Sequence, residues 1–206
     1  MPVADTGSDG CRVLLFRHAE SVSNEQNRFA GRTDVELTDR GRKQAARLAD
    51  RIEEIEIDAA YASTLQRARE TAEIVAEPHG LNVTTVDAIK ERSYGVLEGR
   101  PKSEESEFRD PSGSNRSEWR PPEGESRSDV ADRVLPAVEG IADDHGGDTV
   151  AIVAHGGVNR TILAGLASGD PMWGHRIEQG NTSFNVLTRV DGWSVQQVND
   201  TAHLEA

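Results

Sequence analysis

Apolar residues along the chain fall into two alternating kinds of run. Short, nearly continuous runs at Arg12 to Phe16, Ala59 to Ala62, Val83 to Val86 and Thr149 to Ala154 have the length of strands buried on both faces. Between them, apolar positions recur every three or four residues, as at Ala45, Leu48, Ala49 and Ile52, the pattern of a helix that buries one face. Thr38 as N-cap and Asp39 in the first turn predict that this helix runs to about Glu54. Ser63-Thr64-Leu65-Gln66 reads as a capping box opening a second helix. That helix ends near Ala76, before Pro78, with Gly80 taking a left-handed turn. Ser126 and Asp129 predict the start of a long helix through Asp144, which Pro136 should kink or divide, since proline inside a helix costs ~3 kcal/mol. A last helix covers about Val158 to Leu166. Ser183 to Val190 and Ser194 to Val198, joined at Asp191-Gly192, predict an antiparallel hairpin.

Strands alternating with helices in this order predict an α/β fold. It is a three-layer α/β/α sandwich whose sheet is mainly parallel with an antiparallel edge strand. Residues 1–10 read as a flexible leader and 11–206 as one domain. From Arg100 to Gly124 the composition shifts to serine, proline, glycine and charge, which predicts a flap inserted in that domain, with Phe108, Trp119, Arg109, Arg116 and Arg120 shaping a pocket. Ligands of such sheets bind beyond the carboxyl ends of the strands. The residues that follow each strand are therefore the first candidates for chemistry.

Charge narrows the partners. The 206 residues carry a formal net charge of −13, which repels polyanions and argues against nucleic acid and anionic membranes as partners. No apolar run approaches the ~20 residues of a membrane span, and the start lacks a signal-peptide pattern, so the expected location is cytoplasmic. Lysine occurs only at 43, 90 and 102, so nearly all positive charge is arginine; acidic, lysine-poor surfaces suggest adaptation to high salt. The single cysteine, Cys11, excludes an internal disulfide and reads as a small residue at a strand entry.

Four predicted elements deliver reactive side chains to one end of the sheet. Arg17-His18 ends the first strand, Arg67 lies in the first turn of a helix, Glu91 follows the third strand, and His155-Gly156-Gly157 ends the fourth. An arginine–histidine pair alone is more often a solvated turn or a satisfied surface pair than a catalytic dyad. Two arginines, two histidines and a carboxylate together suit phosphoryl transfer, because guanidinium groups match phosphate oxygens and helix starts favour anions.

The strand ending in Arg17-His18, with Glu20-Ser21 and Asn24, resembles the N-terminal signature of the histidine phosphatase superfamily, also called phosphoglycerate mutase-like. Further matches follow in order: Gly31 and Asp34, Leu37 to Gly41 with Gln44-Ala45, Ala62-Ser63 with Arg67 and Thr71-Ala72, Glu91 with Tyr94-Gly95, Glu98-Gly99, Glu123 to Ser126, Val153 to Gly156, and Asn199 to Leu204. The resemblance implies that His18 is a nucleophile forming a phosphohistidine. Arg17, Asn24, Arg67, His155 and the Gly156 N–H would surround the phosphoryl group, and Glu91 would be the general acid and base. It also implies that no metal is needed. Arg32, Tyr94 and Lys102 are candidates for substrate binding, and His203 for packing. Ala19 stands where the family commonly has glycine, so a positive φ there would be strained. The expected activity is hydrolysis of a small phosphorylated metabolite without a cofactor. The alternatives are a phosphoglycerate mutase, which would use 2,3-bisphosphoglycerate, and a catalytically silent binder of phospho-ligands. The sequence leaves the oligomeric state open.

Overall fold

The computed structural model describes residues 10–104 and 118–205. Among these residues six strands form one sheet: β1 (Cys11–Arg17), β2 (Ala59–Ser63), β3 (Val83–Val86), β4 (Thr149–Ala154), β5 (Phe184–Arg189) and β6 (Trp193–Asp200), in the order β3-β2-β4-β1-β5-β6. The first four run parallel. β5 lies antiparallel to β1, and β6 returns antiparallel to β5 as the sheet edge, as the Asp191-Gly192 turn predicts.

Alternation along β1 separates the two cores. Leu14 and Phe16 face α2 (Asp39–Ile52) and α3 (Gln66–Ala76), while Val13 and Leu15 face α4 (Arg127–Asp144) and α5 (Gly156–Ser168). Helices thus cover both faces of the sheet, the predicted three layers. A single turn, α1 (Val22–Glu25), follows the end of β1. In register, Arg17 lies opposite Ala154 and Ala62 opposite Val153, so β1, β2 and β4 finish together. That shared end is where the site is built.

Several boundaries differ from the sequence reading for identifiable reasons. Ser63 is the last residue of β2 and does not cap α3: the N-cap is Leu65, without a side-chain cap bond. Instead Asp34 Oδ1, from a loop 32 residues earlier in the chain, accepts the Gln66 N–H at 2.7 Å. α4 continues through Pro136 to Asp144, held at its start by the predicted reciprocal bonds between Ser126 and Asp129. α5 begins at Gly156, directly after β4, so that the strand runs into the helix with only His155 between. The leader to residue 9, and Phe108, Arg109 and Arg116 of the insertion, lie outside the described residues. The end of the insertion is anchored, since Arg120 pairs with Asp129 at the start of α4 and Arg92 lies 5.2 Å over the Trp119 ring.

Candidate functional site

The end of β1 places two cationic or ionisable side chains in a dry environment. Arg17 is partly buried, donates from Nη1 to the Gln179 carbonyl at 2.7 Å, and has a buried Nε without a partner. Burial lowers its pKa to about 10, opposed by the nearby Glu91 carboxylate. The next residue extends the ladder, with the His18 N–H donating to the Ala154 carbonyl at 3.0 Å. His18 Nδ1 lies 2.7 Å from the Ala19 carbonyl, which can only accept. The proton is therefore on Nδ1, and Nε2 keeps its lone pair. Burial first, then the charges of Arg67 and Arg17, push the imidazole pKa well below 6.5. Both effects favour the neutral ring.

Arg67 comes from the first turn of α3 and is almost fully buried. Nη1 donates to the Thr33 carbonyl at 3.1 Å and Nη2 to the Gly31 carbonyl at 2.8 Å, while Nε has no partner. The loop that offers these carbonyls is itself tied by Glu98, which accepts from Arg32 N at 3.0 Å and from Thr33 N and Oγ1 at 2.9 and 2.7 Å. Gly31 has φ +54, and a Cβ there would displace the Glu98 side chain from the loop it ties, so glycine suits this turn. Arg32 pairs with Glu125 at 2.7 Å.

His155 ends β4 as the N-cap of α5, fully buried, with its ring 5.1 Å from that of His18. Burial, then Arg67, His18 and Arg17, push its pKa well below 6.5. The two glycines after it make room for the neighbours. A Cβ on Gly156 would lie 3.3 Å from Arg17 Nε, and one on Gly157 would lie 2.5 Å from Glu91 Oε1. Glu91 reaches the helix start, where Oε2 accepts the Gly157 N–H at 3.2 Å while Oε1 accepts the Arg92 N–H at 2.9 Å. Arg133 of α4 fixes the Glu91 loop by donating to the carbonyls of Ala88, Lys90 and Glu91 at 2.6, 2.8 and 3.2 Å. Glu125 holds Arg133 in turn, at 3.0 Å to both Nε and Nη2.

Asn24 joins through a partner that the sequence reading missed. Asn181 Nδ2 donates to the His18 carbonyl and to Asn24 Oδ1, both at 3.1 Å, and Ser21 N and Oγ also donate to that oxygen. Asn24 Oδ1 therefore points inward, and Nδ2 is the end free to meet a ligand. Thr182, at φ +53, donates from its hydroxyl to the Asn181 carbonyl and meets His203 Nε2 at 2.9 Å. Gln179, Asn181 and Thr182 form a strap beneath Arg17-His18. They lie more than 160 residues away in sequence, so nothing local marks them, although the matched tail containing His203 is a trace of the same contact. Ala19 escapes the expected strain: its φ is not positive, and its N–H donates to Thr71 Oγ1 at 3.1 Å.

At the mouth, the exposed Lys102 has its pKa lowered by partial desolvation and by Arg17, while Glu91 acts in the opposite direction. Arg160 of α5, bonded through Nε to the Ile177 carbonyl at 2.8 Å, adds positive charge near both Lys102 and Arg17. The Tyr94 ring meets that of Phe29 at a tilt of 40°, centroids 4.7 Å apart, and lies under Arg92. The described residues contain no group of three or more His, Cys, Asp or Glu arranged to hold a metal ion. They contain no helix long and apolar enough to cross a membrane. The interior thus combines a nucleophilic imidazole nitrogen, two guanidinium groups with unused donors, a second neutral imidazole and a carboxylate at a helix start. Such a set can attack, surround and protonate an anionic group.

Comparison with known proteins agrees with this chemistry. Residues 13–201 match the family model of the histidine phosphatase superfamily (branch 1). Phosphoglycerate mutase-like protein 4 of Arabidopsis thaliana is 36% identical over 207 residues, covering 96% of this chain and 88% of the relative. Among solved structures, Bacillus stearothermophilus YhfR is 32% identical with a TM-score of 0.85, covering 94% of this chain and 99% of its own. A mycobacterial glucosyl-3-phosphoglycerate phosphatase, solved with VO3, is 28% identical with a TM-score of 0.82 over 91% of this chain and 98% of its own. The chain belongs to branch 1 of the histidine phosphatase superfamily, and its buried arginine–histidine group lies where the parallel strands of that fold end.

Proposed function

We propose that this chain is a metal-independent phosphomonoesterase that passes the phosphoryl group of a small metabolite through a phosphohistidine on His18. The observation that carries the reading is the state of His18. Its Nδ1 proton is engaged by Ala19, its Nε2 lone pair is free, and burial beside two guanidinium groups keeps the ring neutral. In the first step Nε2 bonds to phosphorus as the ester P–O bond breaks, and Glu91 gives its proton to the departing oxygen. In the second, Glu91 takes a proton from water, the water oxygen bonds to phosphorus, the P–N bond breaks and phosphate leaves. The unpartnered Nε groups of Arg17 and Arg67, with His155, Asn24 Nδ2 and the Gly156 N–H, stabilise the charge spread over the phosphoryl oxygens. The arginines supply the charge that a metal supplies elsewhere, and no cofactor is required.

Hydrolysis is favoured over mutation by the likeness to a sugar-phosphoglycerate phosphatase and by a short insertion without adjacent arginines. The likeness to a mutase-like plant protein, and Lys102 at the mouth, keep the mutase as the second reading. Wild type should release phosphate from p-nitrophenyl phosphate, and His18→Ala should release it at least about a thousandfold more slowly. Equal rates would remove His18 from the mechanism, and phosphate binding without turnover by wild type would indicate a silent binder. Supplied with 3-phosphoglycerate, with and without 2,3-bisphosphoglycerate, the wild type should yield free phosphate; fast isomerisation with little hydrolysis would make it a mutase.

A further inference from the structure

Ser63 has no role in the proposed chemistry so far, and it does not cap the helix that its sequence context suggests. It ends β2, fully buried, with its hydroxyl 2.8 Å from His155 Nε2. The same oxygen accepts the Leu65 N–H at 3.3 Å. A buried hydroxyl has one proton to donate, and leaving it without an acceptor is costly. The acceptor within reach is His155 Nε2. A neutral ring that accepts at Nε2 carries its proton on Nδ1, and His155 Nδ1 is buried without any partner.

We infer that Ser63 is a positioning residue that sets the tautomer of His155, holding Nε2 as an acceptor so that Nδ1–H is a directed donor to the transferring phosphoryl group. The two site histidines then carry the same tautomer but present opposite ends. His18 shows the site its Nε2 lone pair and His155 its Nδ1–H. Were the tautomer of His155 reversed, Ser63 would have to orient its proton elsewhere, and an unprotonated nitrogen would face an anion. Repulsion would replace a hydrogen bond at the moment charge develops on phosphorus. The tautomer follows from the contacts alone, whereas its use in catalysis rests on the phosphoryl-transfer reading above.

Two measurements separate these levels. In wild-type protein labelled with 15N-histidine, without ligand, the His155 signals identified by their loss in His155→Gln should show a protonated Nδ1 and an unprotonated Nε2. A protonated Nε2 would overturn the inference whatever the activity. In Ser63→Ala that preference should weaken or invert. kcat for p-nitrophenyl phosphate should fall by roughly tenfold to a hundredfold, a part of the effect of losing one transition-state donor outright. Ser63→Thr, which keeps a hydroxyl, should restore the Nδ1–H state and part of the rate. A Ser63→Ala protein with the wild-type tautomer would overturn the assignment to Ser63. A shifted tautomer with unchanged kcat would overturn its catalytic use and leave the phosphatase reading to the His18→Ala result.

Discussion

Burial among guanidinium groups makes His18 and His155 weak bases, and this has consequences in opposite directions for rate and for stability. The proposed reaction needs a neutral His18, and its pKa lies well below 6.5 because burial and the charges of Arg67 and Arg17 oppose imidazolium. The acid limb of kcat/KM should therefore not follow an ordinary histidine: activity should persist as pH falls past 6.5, until His18 itself is protonated. A rate that halves near pH 6.5 from titration of His18 would contradict this. For stability, the unfolded chain takes up protons on both histidines below about pH 6.5 while the folded chain does not, so protons bind preferentially to the unfolded state. The contribution is fully present above that pH and is lost progressively as pH falls toward the folded-state values. Urea unfolding at pH 7.5 and 5.5 should show the midpoint falling, with the loss reduced in His155→Gln.

At the level of elements, the start of α5 is where strand order becomes site geometry. β4 and α5 are separated by a single residue, so the glycines after His155 are pressed between Arg17 on one side and Glu91 on the other. Gly157→Ala would put a methyl group 2.5 Å from the present Glu91 Oε1, and the carboxylate must then leave the Gly157 N–H that it now accepts. kcat should fall by about a hundredfold, the lower range for a displaced general acid, while urea unfolding changes little, since Glu91 is partly exposed and free to swing. Unchanged kcat in a folded Gly157→Ala protein would remove Glu91 from the proposed role. Arg133 and Glu125 act one element further out, fixing the Glu91 loop from α4 through three backbone carbonyls.

For the whole molecule, the balance of charge is the property that local contacts do not correct. Many arginines form ion pairs with exposed or half-exposed partners, such as Arg42 with Glu70 and Arg120 with Asp129, each worth ~0–1 kcal/mol. A net charge of −13 remains, and its self-repulsion is felt by the compact state more than by the expanded one. Salt screens this repulsion, with a Debye length of about 3 Å at 1 M. Tm should accordingly rise between dilute buffer and molar potassium chloride, and full stability in dilute buffer would count against a high-salt origin. The cationic side chains of Arg17, Arg67, Lys102 and Arg160 sit inside this negative molecule, so the small phosphate ester of the proposed reaction would be drawn in at short range rather than by the field of the whole protein.

What the sequence determined by itself was whatever depends on neighbours along the chain. The period of apolar residues decides strand or helix, and a parallel α/β order brings the ends of β1, β2 and β4 to one edge, so Arg17, His18, Arg67 and His155 were legible together before any contact was known. Ser126 and Asp129 were legible as a cap because both partners lie within one turn. Only the tertiary structure decided what depends on distant partners. Ser63 reads locally as a helix cap but bonds to His155, 92 residues later, because β2 and β4 are adjacent in the sheet. Asn181 and Gln179 bind the backbone of His18 and the guanidinium of Arg17 because the antiparallel β5 returns the chain beside β1. Arg32, a candidate by resemblance, pairs with Glu125. Proton position follows the same rule, since which nitrogen of a neutral imidazole holds the hydrogen is set by the group across from it, and that group is supplied by the fold.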